Sequence, residues 1–251
     1  MTLRLLSYNI RYGGTGRETA IAAVIRSLAP DVVMLQEASE PAVVERLARE
    51  TEMPHWGARR GHSTGYLSRL TVAEHAWHHP PAARHAFLEV VLADRDCRLF
   101  GLHLSAWFSK WSEQRREREL RALIDGIRQH QHGFHLILGD FNALAPGERL
   151  RADRMPGWIR AMVWMSGNDI ARTTIQLMLD EQYVDAFRYL HPGEEGYTFP
   201  TWDPHVRLDY VFAPARDASR FARCEVIADA ADMRAASDHF PLLAEVSEPA
   251  R

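Results

Sequence analysis

The sequence has little cysteine, no long apolar stretch and no excess of positive charge. Its only two cysteines, Cys97 and Cys224, lie in apolar runs and lack metal-ligand spacing. Such cysteines are typical of small buried hydrophobic residues, and reduced thiols fit a cytoplasmic protein. The amino terminus looks like a strand rather than a signal peptide, and no segment approaches the roughly 20 apolar residues that span a bilayer. We therefore expect a cytoplasmic protein without a transmembrane segment.

The charge balance argues against a chain that coats nucleic acid by electrostatics alone. The formal net charge is -3, whereas non-specific binding to nucleic acid depends on neutralising many phosphates. A local basic groove is still compatible with this balance. The sequence shows no internal repeat, low-complexity tract or linker. Its 251 residues and 46% apolar composition predict one domain, spanning residues 1–251.

Strand-like runs alternate with helical ones along the chain. Thr15 and Glu18 have capping-box spacing ahead of an amphipathic run, and Leu120 to Ile127 has the apolar period of another helix. Strands are predicted at the start of the chain, in its last apolar run and at 32–35, 88–93, 99–104, 134–138, 207–212 and 223–228. This mixture predicts an α/β fold in which two sheets pack on each other with helices outside.

Polar side chains fall at or just beyond the ends of these predicted strands, where loops on a rigid scaffold usually carry chemistry. The last run begins with Asp238 and His239 side by side, and Gly139 with Asp140 follows a buried strand. The packing of a core does not require such groups. We expect one rim of the fold to hold Asn9, Glu37, His103, Asp140, Asn142, Asp209, Asp238 and His239.

These residues lie in short motifs whose order is informative. The motifs are Ser7-Tyr8-Asn9, Leu35-Gln36-Glu37, Gly101-Leu102-His103-Leu104, Gly139-Asp140-Phe141-Asn142, Arg207-Leu208-Asp209-Tyr210 and Ser237-Asp238-His239. Together they resemble the motif series of the endonuclease/exonuclease/phosphatase (DNase I-like) superfamily, from residue 7 to residue 242. The resemblance implies a four-layered α/β sandwich of two packed, mainly antiparallel sheets flanked by helices. It also implies a divalent-metal-dependent hydrolase of phosphate esters.

The resemblance implies a metal side of the site formed by oxygen donors. Glu37 would be the principal ligand, with Asn9 nearby and Asp238 contributing directly or through water. Oxygen donors favour a hard cation, so Mg²⁺ is the expected ion and Mn²⁺ a substitute. Asn9 is the weakest member of this set, because asparagine before a glycine-rich turn is common structural punctuation.

The resemblance also implies catalytic roles. Asp140 would orient or deprotonate the attacking water, and Asn142 would donate to the phosphate or fix that water. His239 would contact the scissile phosphate or handle a proton, oriented by Asp209. His103 would be a second phosphate ligand or a general acid. Turn-capping explanations exist for single aspartates, but the joint order of the motifs favours a site.

The residues leave the substrate open. Trp107 and Trp111 would stack on unpaired bases or pack a loop onto the core. The stretch from 144 to 182 would form a helical cap over the site or an outer-layer helix. Interleaved arginines and glutamates between 113 and 121 are typical of a solvated, paired helix face.

Three functional classes are compatible with these residues. Cleavage of phosphodiesters, with nucleic acid as the first choice, is the preferred function. The alternatives are a sphingomyelinase-like enzyme for phospholipid headgroups or small phosphorylated molecules, and an inactive binding scaffold. A dinuclear metallophosphatase is excluded, because the chain lacks the early Asp-x-His and late Gly-Asn-His clusters. No protein partner can be inferred.

Overall fold

The computed structural model describes residues 2–93, 95–106, 109–130, 133–165, 170–229 and 233–247. Its strands are β1 (Thr2–Asn9), β2 (Val32–Gln36), β3 (His55–Ala58), β4 (Thr64–Ser68), β5 (Val72–His78), β6 (Phe87–Leu92), β7 (Arg98–His103), β8 (His135–Asp140), β9 (Tyr183–Asp185), β10 (Asp209–Pro214), β11 (Phe221–Val226) and β12 (Leu242–Ser247). Its helices are α1 (Glu18–Leu28), α2 (Pro41–Glu50), α3 (Lys110–Ile127), α4 (Gly157–Met165), α5 (Thr173–Asp180), α6 (Ala186–Leu190) and α7 (Met233–Ala236).

The strands form two six-stranded sheets. The first sheet has the order β11-β12-β1-β2-β4-β3, and the second has the order β5-β6-β7-β8-β10-β9. In the first sheet β1 and β2 run parallel, and in the second β7 and β8 run parallel. The other neighbouring pairs are antiparallel. The predicted pair of mainly antiparallel sheets is therefore confirmed.

The side-chain alternation of the strands divides the core into layers. Leu3 and Leu5 of β1 join the apolar cluster between the two sheets, whereas Leu6 and Tyr8 point outward into the cluster beneath the helices of the first sheet. A strand alternates its faces with period two, so each central strand packs on both sides. Helices cover both outer faces, which confirms the four-layered arrangement.

A fourth, smaller apolar cluster lies outside these layers. It contains Leu144, Val163 and Leu208 and joins α4 to the segments that precede β9 and β10. None of the described helices combines the length and the apolar character needed to cross a bilayer. Cys97 and Cys224 are buried thiols, as the sequence indicates.

Two local predictions are wrong. Thr15 does not cap α1, because the chain turns through left-handed glycines and the helix begins at Glu18 with Arg17 at its N-cap and no side-chain cap. The charged face of α3 is also not wholly solvated, since Glu113, Arg116 and Glu119 are buried. Arg116 Nη2 lies 2.6 Å from Glu113 Oε2, so this pair is satisfied inside the protein. Apolar spacing alone does not reveal such internal pairing.

Candidate active site

Strand register places three of the predicted residues side by side in the second sheet. His103 at the end of β7 is opposite Asp140 at the end of β8, and Asp209 at the start of β10 is opposite Asp140 from the other side. Leu136 and Leu138 of β8 face the other sheet, and Asp140 follows them at the same period of two. The alternation that buries the core therefore also directs these polar groups inward at one end of the sandwich.

A glycine makes this close arrangement possible. Gly139 has a φ of 146°, and a Cβ atom there would lie 2.0 Å from the carbonyl oxygen of Leu102 on the neighbouring strand. Any other residue would force β7 and β8 apart just before His103 and Asp140. In the Gly139-Asp140 dipeptide, the glycine allows the two strands to approach and the aspartate supplies the carboxylate of the site.

Asn9 links the two sheets. Its amide nitrogen donates to Glu37 Oε1 at 3.2 Å and to Asp140 Oδ2 at 3.0 Å, while its Oδ1 accepts from the main-chain N–H of Arg11 at 2.9 Å. Glu37 lies just beyond β2 with a φ of 56°, and its Oε2 accepts from the N–H of Tyr12 at 2.6 Å. The side chains of Glu37 and Asp140 are therefore held together although they belong to opposite sheets.

Asp209 and His239 form a buried carboxylate–imidazole pair. The Nδ1 of His239 donates to Asp209 Oδ2 at 2.8 Å, and the Nε2 of the same ring lies 3.9 Å from Asp140 Oδ2. Thr198 Oγ1 accepts from the main-chain N–H of Asp209 at 3.3 Å, and the Phe199 ring lies 4.8 Å from the His239 ring. The Thr198 and Phe199 segment thus packs against the pair.

These contacts change the pKa values of Asp140 and His239. Burial, and then the charge of Asp209, raises the pKa of Asp140 to about 7. Burial opposes the charged form of His239, but the charge and hydrogen bond of Asp209 outweigh it and raise the pKa of His239 to about 10. At neutral pH the site therefore combines a carboxylate of moderate basicity with an imidazolium.

His103 has the opposite character. Its Nε2 lies 3.8 Å from Asp140 Oδ2, its Nδ1 contacts the hydroxyl of Ser63, and the His85 ring stacks on it at 5.0 Å and 4°. Burial, followed by the neighbouring His85 and His239, lowers the pKa of His103 to about 3. His103 is therefore a neutral imidazole, and the two histidines beside Asp140 differ in charge.

Asp238 lies on the first-sheet side of the site. Its Oδ2 is 3.2 Å from Nε of Arg11, and the preceding Ser237 donates its hydroxyl to the carbonyl oxygen of Asn9 at 2.6 Å. The hydrogen bond from Ser237 fixes the Asp238-His239 turn against the end of β1. The loop that follows β1 thus contacts all three residues expected on the metal side. Asn9 and Asp238 contact Arg11, and Glu37 contacts Tyr12.

The donor set fits a hard cation. Four carboxylates, those of Glu37, Asp140, Asp209 and Asp238, meet the imidazolium of His239 and the guanidinium of Arg11, which leaves two negative charges when all four are ionised. Asp209 Oδ1 is buried without a hydrogen-bond partner among the described residues. The structure also groups Asp140, Asp209 and His239 with ligand atoms within 4.8 Å of one another. Because His239 and Asp209 are bonded to each other, Glu37 and Asp238 are the better candidates for a cation.

The site opens into a cleft between the ends of the two sheets. Glu37, His103, Asp140, Asp238 and His239 all line it, together with Asn142. Asn142 donates its main-chain N–H to Asp140 Oδ1 at 2.8 Å and its side-chain amide to the carbonyl oxygen of Leu104 at 3.0 Å. Six of the eight residues expected at the rim thus line one cleft, whereas Asn9 and Asp209 are buried behind it and contact Asp140 and His239.

The two predicted tryptophans are not equally informative. Trp111 is 83% exposed at the start of α3, and it is not among the described residues that line the cleft. Neither stacking at the site nor packing onto the core describes its position. Trp107 lies outside the described residues. In contrast, Trp158 and Ile159 of α4 line the cleft, so this part of the 144–182 stretch borders the site.

The comparisons with known proteins agree with this geometry. The model of the Endonuclease/Exonuclease/phosphatase family matches residues 6–239. The chain belongs to this family. It is accordingly a divalent-metal-dependent hydrolase of phosphate ester bonds, as the motif series implies. A search of curated proteins found no significant match to this member of the family.

Solved structures show that this family member shares its fold with several DNA-processing enzymes. An AP endonuclease from Archaeoglobus fulgidus matches with a TM-score of 0.73 and 18% identity over 96% of this chain and 98% of the other. The 3' phosphatase NExo from Neisseria, bound to a product DNA hairpin, matches with a TM-score of 0.72 and 18% identity over 98% and 99%. TDP2 from D. rerio, complexed with a single strand DNA product, matches with a TM-score of 0.67 and 19% identity over 98% and 99%. At such identities the likeness establishes the fold alone.

Sequence reasoning missed several residues at the site. Ser63 and His85 contact His103, Arg11 pairs with Asp238, and Arg84 lines the cleft. Arg11 follows the Ser-Tyr-Asn motif by two residues, so its nearness to the site is detectable from the sequence. Ser63, Arg84 and His85 lie in loops without a local pattern, so no signal in the sequence marks them.

Proposed function

We propose that this chain is a Mg²⁺-dependent phosphodiesterase that cleaves nucleic acid. The observation that carries the proposal is the position of Asp140 between two histidines of unlike charge, at distances of 3.8 and 3.9 Å. A base, a fixed cation and a neutral donor around one point suit the hydrolysis of an anionic ester. The DNA products bound in the NExo and TDP2 structures support nucleic acid as the substrate.

The chain's own residues divide the work of hydrolysis. Asp140 takes a proton from the attacking water, whose oxygen bonds to phosphorus as the ester oxygen leaves on the opposite side. The imidazolium of His239, held by Asp209, donates to an oxygen of the phosphate and offsets the charge that develops there. His103 donates as a neutral imidazole rather than as a general acid, because its pKa lies well below neutrality.

Asn142 acts mainly through position in this proposal. Its main-chain N–H holds Asp140 Oδ1, which leaves Oδ2 directed at the two histidines. One proton of its side-chain amide is used by Leu104, and the other is available for the phosphate or the water. Asn142 thus orients the base and adds a hydrogen bond at the reacting group.

Glu37 and Asp238 would hold the divalent cation, with Asn9 keeping Glu37 beside Asp140. When bound, the cation neutralises charge on the phosphate and on the leaving oxygen. We propose Mg²⁺, with Mn²⁺ as a substitute, because carboxylate and amide oxygens are hard donors. A single domain over residues 1–251 and a cytoplasmic location stay predictions.

A matched substrate panel tests the function. The substrates are single- and double-stranded DNA, abasic DNA, RNA, phospholipids, inositol phosphates and a chromogenic diester, each with Mg²⁺, Mn²⁺ or EDTA. We expect metal-dependent cleavage of nucleic acid and of the chromogenic diester, and its loss in Asp140→Asn. Preferential cleavage of phospholipids would contradict the nucleic-acid assignment, and no turnover on any ester would contradict the enzyme.

A further inference from the structure

The cleft has two chemically different ends. Arg84 and His85 precede β6, on the β7 side of the central strand β8, whereas Phe199 and Leu208 precede β10 on its other side. Trp158 adds a further aromatic ring to the cleft lining. The strand order therefore gives the cleft a basic end at Arg84 and an apolar end at Phe199, with Asp140 between them.

The main chain at the basic end is fixed by a buried carboxylate. Glu119 of α3 is 1% exposed, and its Oε1 accepts from the N–H of Arg84 at 3.0 Å. The same side chain accepts from the N–H of Ser105 at 3.0 Å and from its hydroxyl at 2.7 Å. Glu119 thereby ties the loop that carries Arg84 to the segment that follows His103.

The position of Arg84 relative to the reacting group follows from this chain of contacts. The His85 ring stacks on His103 at 5.0 Å, and His103 Nε2 lies 3.8 Å from Asp140 Oδ2. Burial, and then the charge of Arg84, lowers the pKa of His85, so His85 is neutral. Arg84 is therefore the cation at this end. It precedes His85 in the chain, and His85 and His103 lie in turn between it and Asp140.

The guanidinium of Arg84 also differs from that of Arg11. Arg11 pairs with Asp238 at 3.2 Å, whereas no carboxylate pairs with the exposed guanidinium of Arg84 within the part of the chain that the structure describes. Glu119, the buried acid beside this loop, binds the main chain of Arg84 and the side chain of Arg115. A planar guanidinium in this situation is suited to a phosphate, which it can bind through two parallel hydrogen bonds.

We propose that Arg84 forms a second phosphate subsite, which binds the phosphate adjacent to the scissile one in a polynucleotide strand. The inference rests on the proposed phosphodiesterase function and narrows its substrate to a chain with successive phosphates. A lone diester, such as a lipid headgroup, would leave the subsite empty. Because the Phe199 end is apolar, the enzyme recognises the adjacent phosphate on one side of the scissile bond only.

Competitive inhibition tests this subsite whether or not the competitor is itself cleaved. The reporter reaction is Mg²⁺-dependent hydrolysis of bis(p-nitrophenyl) phosphate. The competitors are a thymidine dinucleotide without a terminal phosphate and the same dinucleotide with a phosphate at its 5' or its 3' end. Inhibition constants are measured for the wild type and Arg84→Gln over a series of salt concentrations.

In the wild type we expect one of the two terminal phosphates, and not the other, to strengthen inhibition about tenfold. Arg84→Gln should remove that gain, as judged against the unphosphorylated competitor in the same variant. The gain from the favoured phosphate should shrink with increasing salt in the wild type, because salt screens the attraction between the phosphate and the guanidinium, and it should be absent at every salt concentration in Arg84→Gln. Arg118→Gln is the matched control, since Arg118 is exposed on α3 away from the cleft.

Two results would overturn the subsite while leaving the proposed function intact. In one, neither terminal phosphate strengthens inhibition of an active wild type. In the other, the gain persists in Arg84→Gln. Absence of any metal-dependent turnover of the reporter in the wild type would instead contradict the proposed function, so the two failures are distinguishable.

Discussion

Two groups of buried charges in this protein are built on opposite plans. In the Arg207 cluster, formed by Arg207, Asp185, Glu148 and Arg188, Arg207 lies 2.6 Å from Asp185 and Arg188 lies 3.2 Å from Glu148. Two guanidinium groups pair with two carboxylates, so the net charge of the cluster is zero. The site around Asp140 instead has two negative charges in excess when its four carboxylates are ionised. Balanced charge marks the structural cluster, and unbalanced charge marks the reactive one.

The first way to test this comparison is to remove the central carboxylate of the site. Asp140→Asn should reduce kcat/KM about 10³-fold, because the general base is lost. Its stability should be unchanged or higher, since a buried carboxylate beside Asp209 becomes neutral. Steady-state kinetics and thermal unfolding measure the two effects. Asp185→Asn is the control, and it should lose stability while keeping its activity per folded molecule.

The second test opens the balanced cluster. Arg207→Met should lower the free energy of unfolding by about 3–5 kcal/mol, because it leaves Asp185 buried without its cation. Urea denaturation measures this loss. Activity per folded molecule should be largely retained, because Arg207 does not line the described part of the cleft. A loss below roughly 1 kcal/mol would show that the Arg207 cluster is not charge-coupled.

Mg²⁺ should stabilise the folded protein by binding at the site around Asp140 and not at the Arg207 cluster. At 100 times the dissociation constant, Mg²⁺ should increase the free energy of unfolding of the wild type by roughly 2.7 kcal/mol. Glu37→Gln should shift this response to higher Mg²⁺ concentrations, whereas Glu45→Gln, on the exposed face of α2, should respond as the wild type does. Differential scanning calorimetry at fixed ionic strength measures the effect. An equal response in both variants would remove Glu37 from the metal site.

The smallest effect concerns pH in the absence of metal. His239 has a folded pKa of about 10, above its unfolded value, so its stabilising contribution is complete below the unfolded pKa and is lost as pH rises toward 10. The free energy of unfolding of the wild type in EDTA should therefore decrease between pH 7 and pH 10. His239→Gln should show a flatter profile, and parallel profiles would contradict the assignment.

The layered fold and the end of the sandwich that carries the site could be predicted because both follow from one alternation. Leu136 and Leu138 report that β8 is buried between the sheets, and the same period places Asp140 on the inner face. The order of the motifs then indicates which strand ends meet. For this reason the sequence could indicate the residues at these strand ends whose side chains contact one another in the site, including Asn9, Asp209 and His239.

Other parts depended on contacts that are remote in sequence. Strands β3, β4, β5 and β9 were not predicted, and β5 in particular is largely polar and exposed at the edge of its sheet. Its pairing with β6 decides its structure, rather than its own composition. The same loop-forming region delivers Arg84 and His85 to the cleft, so their roles could not be read before the strands were placed. The burial of Glu119 is likewise fixed by Ser105 and Arg84, which are distant in the chain.

The amide of Asn9 touches one acid from each half of the sandwich. If both sheets formed but packed on each other in a register shifted by one residue, the helix and strand content would be unchanged. The contacts that join Glu37 and Asp140 across the sheets would nevertheless be lost. Turnover is thus a stricter measure of correct assembly than helix or strand content. In refolding studies of this enzyme it should be the last property to return.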